Sequence, residues 1–406
     1  MKKVLVITYH FPPEGGAGIQ RVLKFVRYLP EFGYQPLILT PKHKTKLHDF
    51  SLTKEIEGND IYRVANLGEY IPYDLKNIFS RYLQPDKRIL WKYTAIRKAV
   101  DIVKKNDIDL IMSTSPPHSI HFIAKKIAEE CQLPWVADFR DEWTTDFNFA
   151  PRKYSAKHVL LEKKILTSAD YVTTVRNSAK KHFHVFNDNV KLIYNGFDPN
   201  DFINLNSIHI KNIFNKKKIN VLYTGSFTPK SSPIELFDEL EEIISNDVRV
   251  RQDFSLTIVG DKKSNMRRLK DYPNLFEYVN MIDYKPHRYC LKLMQESDIL
   301  LLLATNEKGM DILPGKLFEY FYSKKPILAI ERYESELDVL LKKYGNYYLA
   351  YEVEENSIRK AIYQIHNDWK QRQLSESQNH SFIEKFNRKY LTGKLAKIFD
   401  ELTSIQ

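Results

Sequence analysis

The stretch Asp311-Ile312-Leu313-Pro314-Gly315-Lys316-Leu317-Phe318-Glu319-Tyr320 puts two carboxylates and one ammonium close together in the chain. It lies between the apolar runs Ile299 to Leu303 and Pro326 to Ile330, so the local pattern reads strand, loop, short helix, strand. Pro314 suits a first helical turn, and Gly315 allows close approach to the backbone. Unpaired N–H groups, a positive dipole end and the Lys316 cation then make the helix start a site for a phosphate. Leu317, Tyr320 and Phe321 share a face that packs inward, whereas Lys316, Glu319 and Ser323 share another. Glu319 therefore stands one turn behind the phosphate pocket, and Asp311 lies on the loop that leads in. A carboxylate gains nothing from a phosphate neighbour but accepts hydrogen bonds from sugar hydroxyls. The competing reading is a capped core helix with surface charges.

The elements that must position these groups alternate along the whole chain. Lys3 to Thr8 reads as a buried strand. It runs through the glycine-rich turn Gly15-Gly16-Ala17-Gly18 into a helix with Val22, Phe25, Val26 and Leu29 on one face, closed by Gly33, and Pro36 to Thr40 is the next strand. The turn lets a ligand touch the backbone at a helix start, but it lacks the spacing of a dinucleotide fingerprint. Further strands are Leu110 to Ser113, Trp135 to Ala137, Tyr171 to Thr174 and Lys191 to Tyr194. Helices fall near residues 91–105, 119–131, 153–168 and 179–186. Loops at the carboxyl ends of parallel strands are where ligands bind. Two are rich in polar groups, Thr114-Ser115-Pro116-Pro117-His118 and Asp138-Phe139-Arg140-Asp141-Glu142-Trp143. The carboxylate, guanidinium, carboxylate series is either a site for a sugar or acceptor hydroxyl or an internal ion-pair cluster. Asn195-Gly196-Phe197-Asp198-Pro199 ends this half, and the polar stretch 200–218 reads as a linker.

The second half restarts the pattern. Strand Asn220 to Thr224 ends in Gly225-Ser226-Phe227-Thr228-Pro229-Lys230, a second glycine turn followed by a cation. Helix Pro233 to Ser245, strand Ser255 to Val259 and helix His287 to Glu296 lead to the opening stretch. A helix within 335–344, a strand-like Tyr347 to Ala350, a helix within 357–369 and a last helix from Ser381 to about Leu402 follow it. The fold class is α/β, with two Rossmann-like domains expected to face one another across a cleft. The expected bounds are 1–200, joined by a terminal helix at 385–406, and 201–384.

The chain has 406 residues, 43% apolar and 13% aromatic, which exclude a disordered protein. No run approaches a membrane span, no signal peptide is evident, and Cys131 and Cys290 show no metal-ligand spacing, so the expected location is cytoplasmic. A net charge of +11 favours anionic partners. The lysines are scattered and no nucleic-acid module is present, so nucleic acid is not the expected one. Residues 66–93 mix Tyr70, Tyr73, Phe79, Arg81, Tyr82, Lys87, Arg88, Trp91 and Lys92. That mixture suits contact with the inner face of a membrane; a surface lid or a stretch packed on the domain are the alternatives.

With both halves in view, the chain resembles GT-B glycosyltransferases, and among them the retaining family 4 enzymes of bacterial surface polysaccharide and capsule synthesis. The likeness rests on His10-Phe11-Pro12-Pro13 through Gly18, Ser115-Pro116-Pro117-His118 with Asp138-Phe139-Arg140-Asp141, Asn195-Gly196-Phe197-Asp198, and Asp311 through Glu319. It implies transfer from a nucleotide-sugar to a glycan or lipid-linked acceptor, with no cofactor and no metal. By the same resemblance Glu319 holds the ribose, Asp311 the donor sugar, and Gly315 with Lys316 the diphosphate, with Pro314 and Leu317 also on the donor side. Gly15, Gly16, Gly18, Gly225, Ser226 and Lys230 complete the donor side. His118, Asp138 and Arg140 fall on the acceptor side, with His118, Arg140 and Asp141 near the chemistry. The chain departs from the family pattern at Arg140 and Asp141, where a histidine is common, and at Ser226, where a cation is. A GT-B nucleotide-sugar epimerase and a non-enzymatic nucleotide or nucleic-acid binder are the competing functions.

Overall fold

The computed structural model describes residues 1–42, 48–72, 74, 82–145, 156–210, 213–308 and 310–404. The chain divides into two compact units, Met1–Asn195 with Arg388–Gln406, and Gly196–Asn387.

The first unit carries seven parallel strands: β1 Lys2–Thr8, β2 Tyr34–Lys42, β3 Asp60–Ala65, β4 Leu110–Ser115, β5 Trp135–Phe139, β6 Tyr171–Thr174 and β7 Val190–Leu192. Their order is β3-β2-β1-β4-β5-β6-β7, so the winding reverses between β1 and β4. Alternate residues of a strand face opposite sides, and both sides are apolar here. Leu5, Ile7, Leu37, Leu39 and Ile111 pack with the helices Lys92–Asn106 and Ser119–Cys131. Val4, Val6, Ile38, Leu110 and Met112 pack with the helices Ala17–Tyr28 and Arg388–Thr403.

The second unit repeats the design with β8 Ile219–Thr224, β9 Phe254–Val259, β10 Val279–Ile282, β11 Ile299–Ala304, β12 Ile327–Glu331 and β13 Tyr347–Tyr351. These strands are parallel in the order β10-β9-β8-β11-β12-β13, with the reversal between β8 and β11. In each unit the crevice at the reversal, outside the strand carboxyl ends, is the place for a ligand.

Three expectations change. The last helix is broken: His380–Ile383 and the 3-10 turn Glu384–Phe386 precede an extended Asn387, and the helix Arg388–Thr403 begins anew. Phe382 and Phe386 pack on Phe321, ring centroids 5.6 and 5.7 Å away, within the second unit. The helix after the break belongs to the first unit, where Phe399 meets Tyr34 at 5.2 Å and Asp400 accepts from the Tyr34 hydroxyl at 2.7 Å. Second, the stretch after Asn200 is not a free linker: Phe202 and Leu205 are buried, and Phe202 meets Tyr322 at 4.6 Å. Third, the aromatic and basic segment is divided. Trp91 is fully buried against Tyr9, with centroids 6.1 Å apart, whereas Tyr70, Tyr82 and Tyr93 are exposed. Tyr73, Phe79 and Arg81 lie outside the described residues. Among the described residues no helix is long and apolar enough to cross a membrane.

Candidate active site

In the second unit the opening stretch forms the helix Lys316–Ser323, with Gly315 as its cap and Pro314 just outside it. Leu317, Phe318, Tyr320 and Phe321 are fully buried, which fixes the helix and leaves Lys316 and Glu319 on the half-open side. Leu317 thus packs in the core, and its N–H donates to Pro314 O at 3.0 Å. The Lys316 ammonium donates to Thr224 O at 2.8 Å and rests over the Tyr223 ring, 3.6 Å from its centroid. It therefore sits on the carboxyl end of β8, beside the second glycine turn. Burial lowers its pKa from 10.5 to about 7, with the Glu319 charge acting the other way.

That turn is shaped by two glycines. Gly225 has φ +133°, a conformation that side chains rarely adopt, and a Cβ there would lie 3.4 Å from Lys316 Nζ. A Cβ on Gly260, after β9, would lie 2.2 Å from Gly225 O, so only glycine lets the two turns touch. Asn265, fully buried on the helix Lys262–Leu269, locks the arrangement. Its Nδ2 donates to Gly225 O at 3.1 Å, and its Oδ1 accepts from Phe227 N at 3.0 Å. Ser226 is exposed, and its Oγ accepts from Asp261 N at 3.2 Å. Lys230 is half-buried, and its carbonyl accepts from Thr305 N at 3.0 Å, tying this turn to the loop after β11.

Asp311, on that loop, accepts from Glu336 N at 2.8 Å, at the start of the helix Glu336–Tyr344. The loop after β12 is pinned by the buried Asn306, which donates to Tyr333 O at 2.6 Å and accepts from Tyr333 N at 2.8 Å. Behind it Glu331 is fully buried; Ser335 donates to its Oε2 at 2.5 Å, and its Oε1 has no hydrogen-bond partner among the described residues. Burial pushes this carboxyl up to about 8; the Ser335 bond opposes the shift, and the charges of Asp338, Asp311 and Glu334 add to it.

The polar groups of the first unit are arranged otherwise. Thr114, Asp138 and Thr173 lie side by side in register on β4, β5 and β6. Thr114 and Thr173 each donate to the Asp138 carboxylate at 2.7 Å, and Arg21 closes on it at 2.7 Å. Arg21 also donates to Ile193 O at 2.9 Å and Tyr194 O at 2.8 Å. Burial raises the Asp138 pKa, but the Arg21 charge and the hydrogen bonds outweigh it, so the carboxyl lies below its ordinary value. Asp138 is fully buried, and in this structure its oxygens are engaged by Arg21, Thr114 and Thr173.

Arg140, half-buried, staples the neighbouring loops. Its guanidinium donates to Ser115 O at 2.7 Å, to Pro116 O at 3.3 Å and to Gly18 O, joining the two edge loops. His118 is 4% exposed and stacks on Trp143, with centroids 5.1 Å apart and planes within 8° of parallel. Asp141 is 40% exposed, 3.8 Å from Arg176, which is engaged mainly by Glu142. Gly15 is buried, Gly16 takes φ +111° to start the helix, and Gly18 is exposed.

Sequence reasoning missed Arg21, Asn265, His287 and Glu331. Arg21 had a signal, one turn inside the helix that follows the glycine turn. The others act across chain separations that no local pattern reveals: His287 Nε2 is 2.8 Å from Glu319 Oε1.

Comparison with known proteins agrees with this architecture. Residues 14–201 match the family Glycosyltransferase Family 4, and residues 206–380 match Glycosyl transferases group 1. No curated protein matches the chain. Among solved structures, Anabaena Alr3699/HepE in complex with UDP is similar with a TM-score of 0.68 and 14% identity over 99% of this chain and 100% of that one. Sucrose-phosphate synthase from Thermosynechococcus elongatus gives 0.72 and 13%, and a glycosyltransferase from Rickettsia africae gives 0.66 and 15%, each over 100% of both chains. Two doubly wound parallel sheets, the matched pair of family regions and these full-length fold likenesses lead to one conclusion: the chain belongs to the family 4-like GT-B glycosyltransferases.

Proposed function

We propose that the chain moves a sugar from a nucleotide-sugar donor to a glycan or lipid-linked acceptor with retention, in cell-surface polysaccharide synthesis. The observation that carries this reading is the placement of Lys316. Its ammonium lies against the glycine turn after β8, at the start of a helix that bears Glu319 one turn on. A diphosphate seated there meets a cation and helix N–H groups, while Glu319 accepts from the ribose hydroxyls. The loop of Asp311 is next to receive the sugar. Similar proteins support the donor class, since Anabaena Alr3699/HepE was solved with UDP and with UDP-glucose.

As the glycosidic bond breaks, charge grows on the departing diphosphate. One well-placed donor at such a centre is worth about 3–4 kcal/mol, which Lys316 and the backbone supply in this scheme without a metal. Peripheral contact with the inner membrane face is proposed for the exposed Tyr70, Tyr82 and Tyr93 with Arg88, which would bring a lipid-linked acceptor near.

A thermal-shift screen against common nucleotide sugars identifies the donor, and turnover is then measured for variants. Glu319→Ala and Lys316→Ala should each lose more than about tenfold in turnover with the melting temperature kept. Unchanged turnover in both would remove the basis of the proposal.

A further inference from the structure

Glu319 sits on the half-open side of its helix, yet its conformation is set by a different element. His287 begins the helix His287–Glu296, and its Nε2 lies 2.8 Å from Glu319 Oε1. The two side chains are 20% and 16% exposed, so the pair is at the rim of the crevice and not inside the core. An ionised carboxylate only accepts, so the proton of this bond is on His287 Nε2 whether the ring is neutral or charged. Glu319 Oε2, in contrast, accepts no hydrogen bond from the described residues. A glutamate free on a helix surface samples several rotamers and must be ordered when a ligand arrives. With Oε1 held from one side, that ordering is already done and Oε2 is presented outward.

We propose that His287 is a positioning residue for the nucleotide: it fixes Glu319 so that Oε2 meets the ribose 2′- and 3′-hydroxyls, without touching the nucleotide itself. This rests on the reading that Glu319 takes the ribose. Ordering one such side chain in advance is worth roughly five- to tenfold in affinity.

The test is calorimetric titration of the full-length chain. UDP, ADP, GDP and CDP are compared first, and the tightest binder is then set against its 2′,3′-dideoxy analogue. The unsubstituted protein should prefer the parent nucleotide by about tenfold or more, since the analogue leaves Glu319 without its partners. In His287→Ala the preference should shrink to about twofold through weaker parent binding, with the dideoxy affinity unchanged. His287→Gln, whose amide can donate to the same oxygen, should restore most of it, and in steady-state assays the loss should fall on donor KM more than on kcat. A full preference retained in His287→Ala overturns the positioning role and leaves the ribose reading standing. Equal weakening of both ligands makes His287 merely structural and also overturns it. No preference in the unsubstituted protein, or no binding of any of the four nucleotides, overturns the ribose reading and this inference together.

Discussion

The ligand edges of the two sheets carry similar residue types and use them in opposite ways. In the first unit the charges are consumed internally: Asp138 by Arg21 and two threonines, Arg140 by three carbonyls, and Glu142 by Arg176. In the second unit Lys316 is held by one carbonyl and one ring face, and Glu319 by one imidazole. A buried charge with all its partners supplies order but has nothing left for a ligand, whereas a half-satisfied charge at a rim retains the capacity to bind. On the first edge Asp138, Arg140 and Glu142 are thus tied into the frame, while Asp141 stays 40% exposed. The second keeps a cation and a carboxylate available, which is the basis for placing the donor there in the proposed function.

The sharpest way to break this contrast is at its most buried point. Asp138→Ala leaves Arg21 desolvated and unpaired, at a cost of about 3–5 kcal/mol. For a unit of this size that should lower the melting temperature by roughly 10 °C, read by calorimetry. A drop in activity with unchanged stability would instead give Asp138 a direct role at the acceptor.

On the second edge the next largest effect is a pH dependence of binding. The folded-state pKa of Lys316 lies near 7, below its ordinary 10.5, so in the unliganded protein the side chain is mostly neutral above that point. A diphosphate favours the ammonium, so binding takes up a proton. Affinity for a nucleoside diphosphate should then fall by up to about tenfold per pH unit above 7, and Lys316→Met should flatten the profile. Without ligand the sign is reversed for stability. The unfolded chain holds this proton between 7 and 10.5, so the lysine's contribution improves as pH rises through that window.

Glu331 gives a smaller effect of the opposite sign. Its folded pKa, near 8, is raised above the ordinary 4.5, so its favourable contribution is complete below the lower value and is lost as pH rises through the upper one. The melting temperature should decline by a few degrees from about pH 6 to about pH 9, and Glu331→Gln should decline less.

Much of the fold was legible because parallel strands buried on both faces read as continuous apolar runs, as in Leu300 to Leu303 or Val4 to Ile7. The strands that escaped notice are the edge strands β3 and β10, whose residues are mostly half-exposed and carry no such run. The uninterrupted final helix was an error of the same kind. Phe382, Phe386, Leu395 and Phe399 share an apolar character, but nothing in their spacing says that the first two pack in one unit and the last two in the other. At the site, Lys316 and Glu319 were legible because one short helix carries both. The commitments of Asp138 and Arg140 were not, since Arg21 lies 117 residues from Asp138, and Gly18 lies 122 from Arg140.

Where the diphosphate goes decides the function of Lys316, and a structure of the chain with its nucleotide-sugar bound tests that most directly. A phosphate oxygen is expected at about 2.7–3.2 Å from Lys316 Nζ, at the start of the Lys316–Ser323 helix, with the ribose hydroxyls on Glu319. A diphosphate bound elsewhere, with Lys316 still resting on Thr224 and Tyr223, would contradict it.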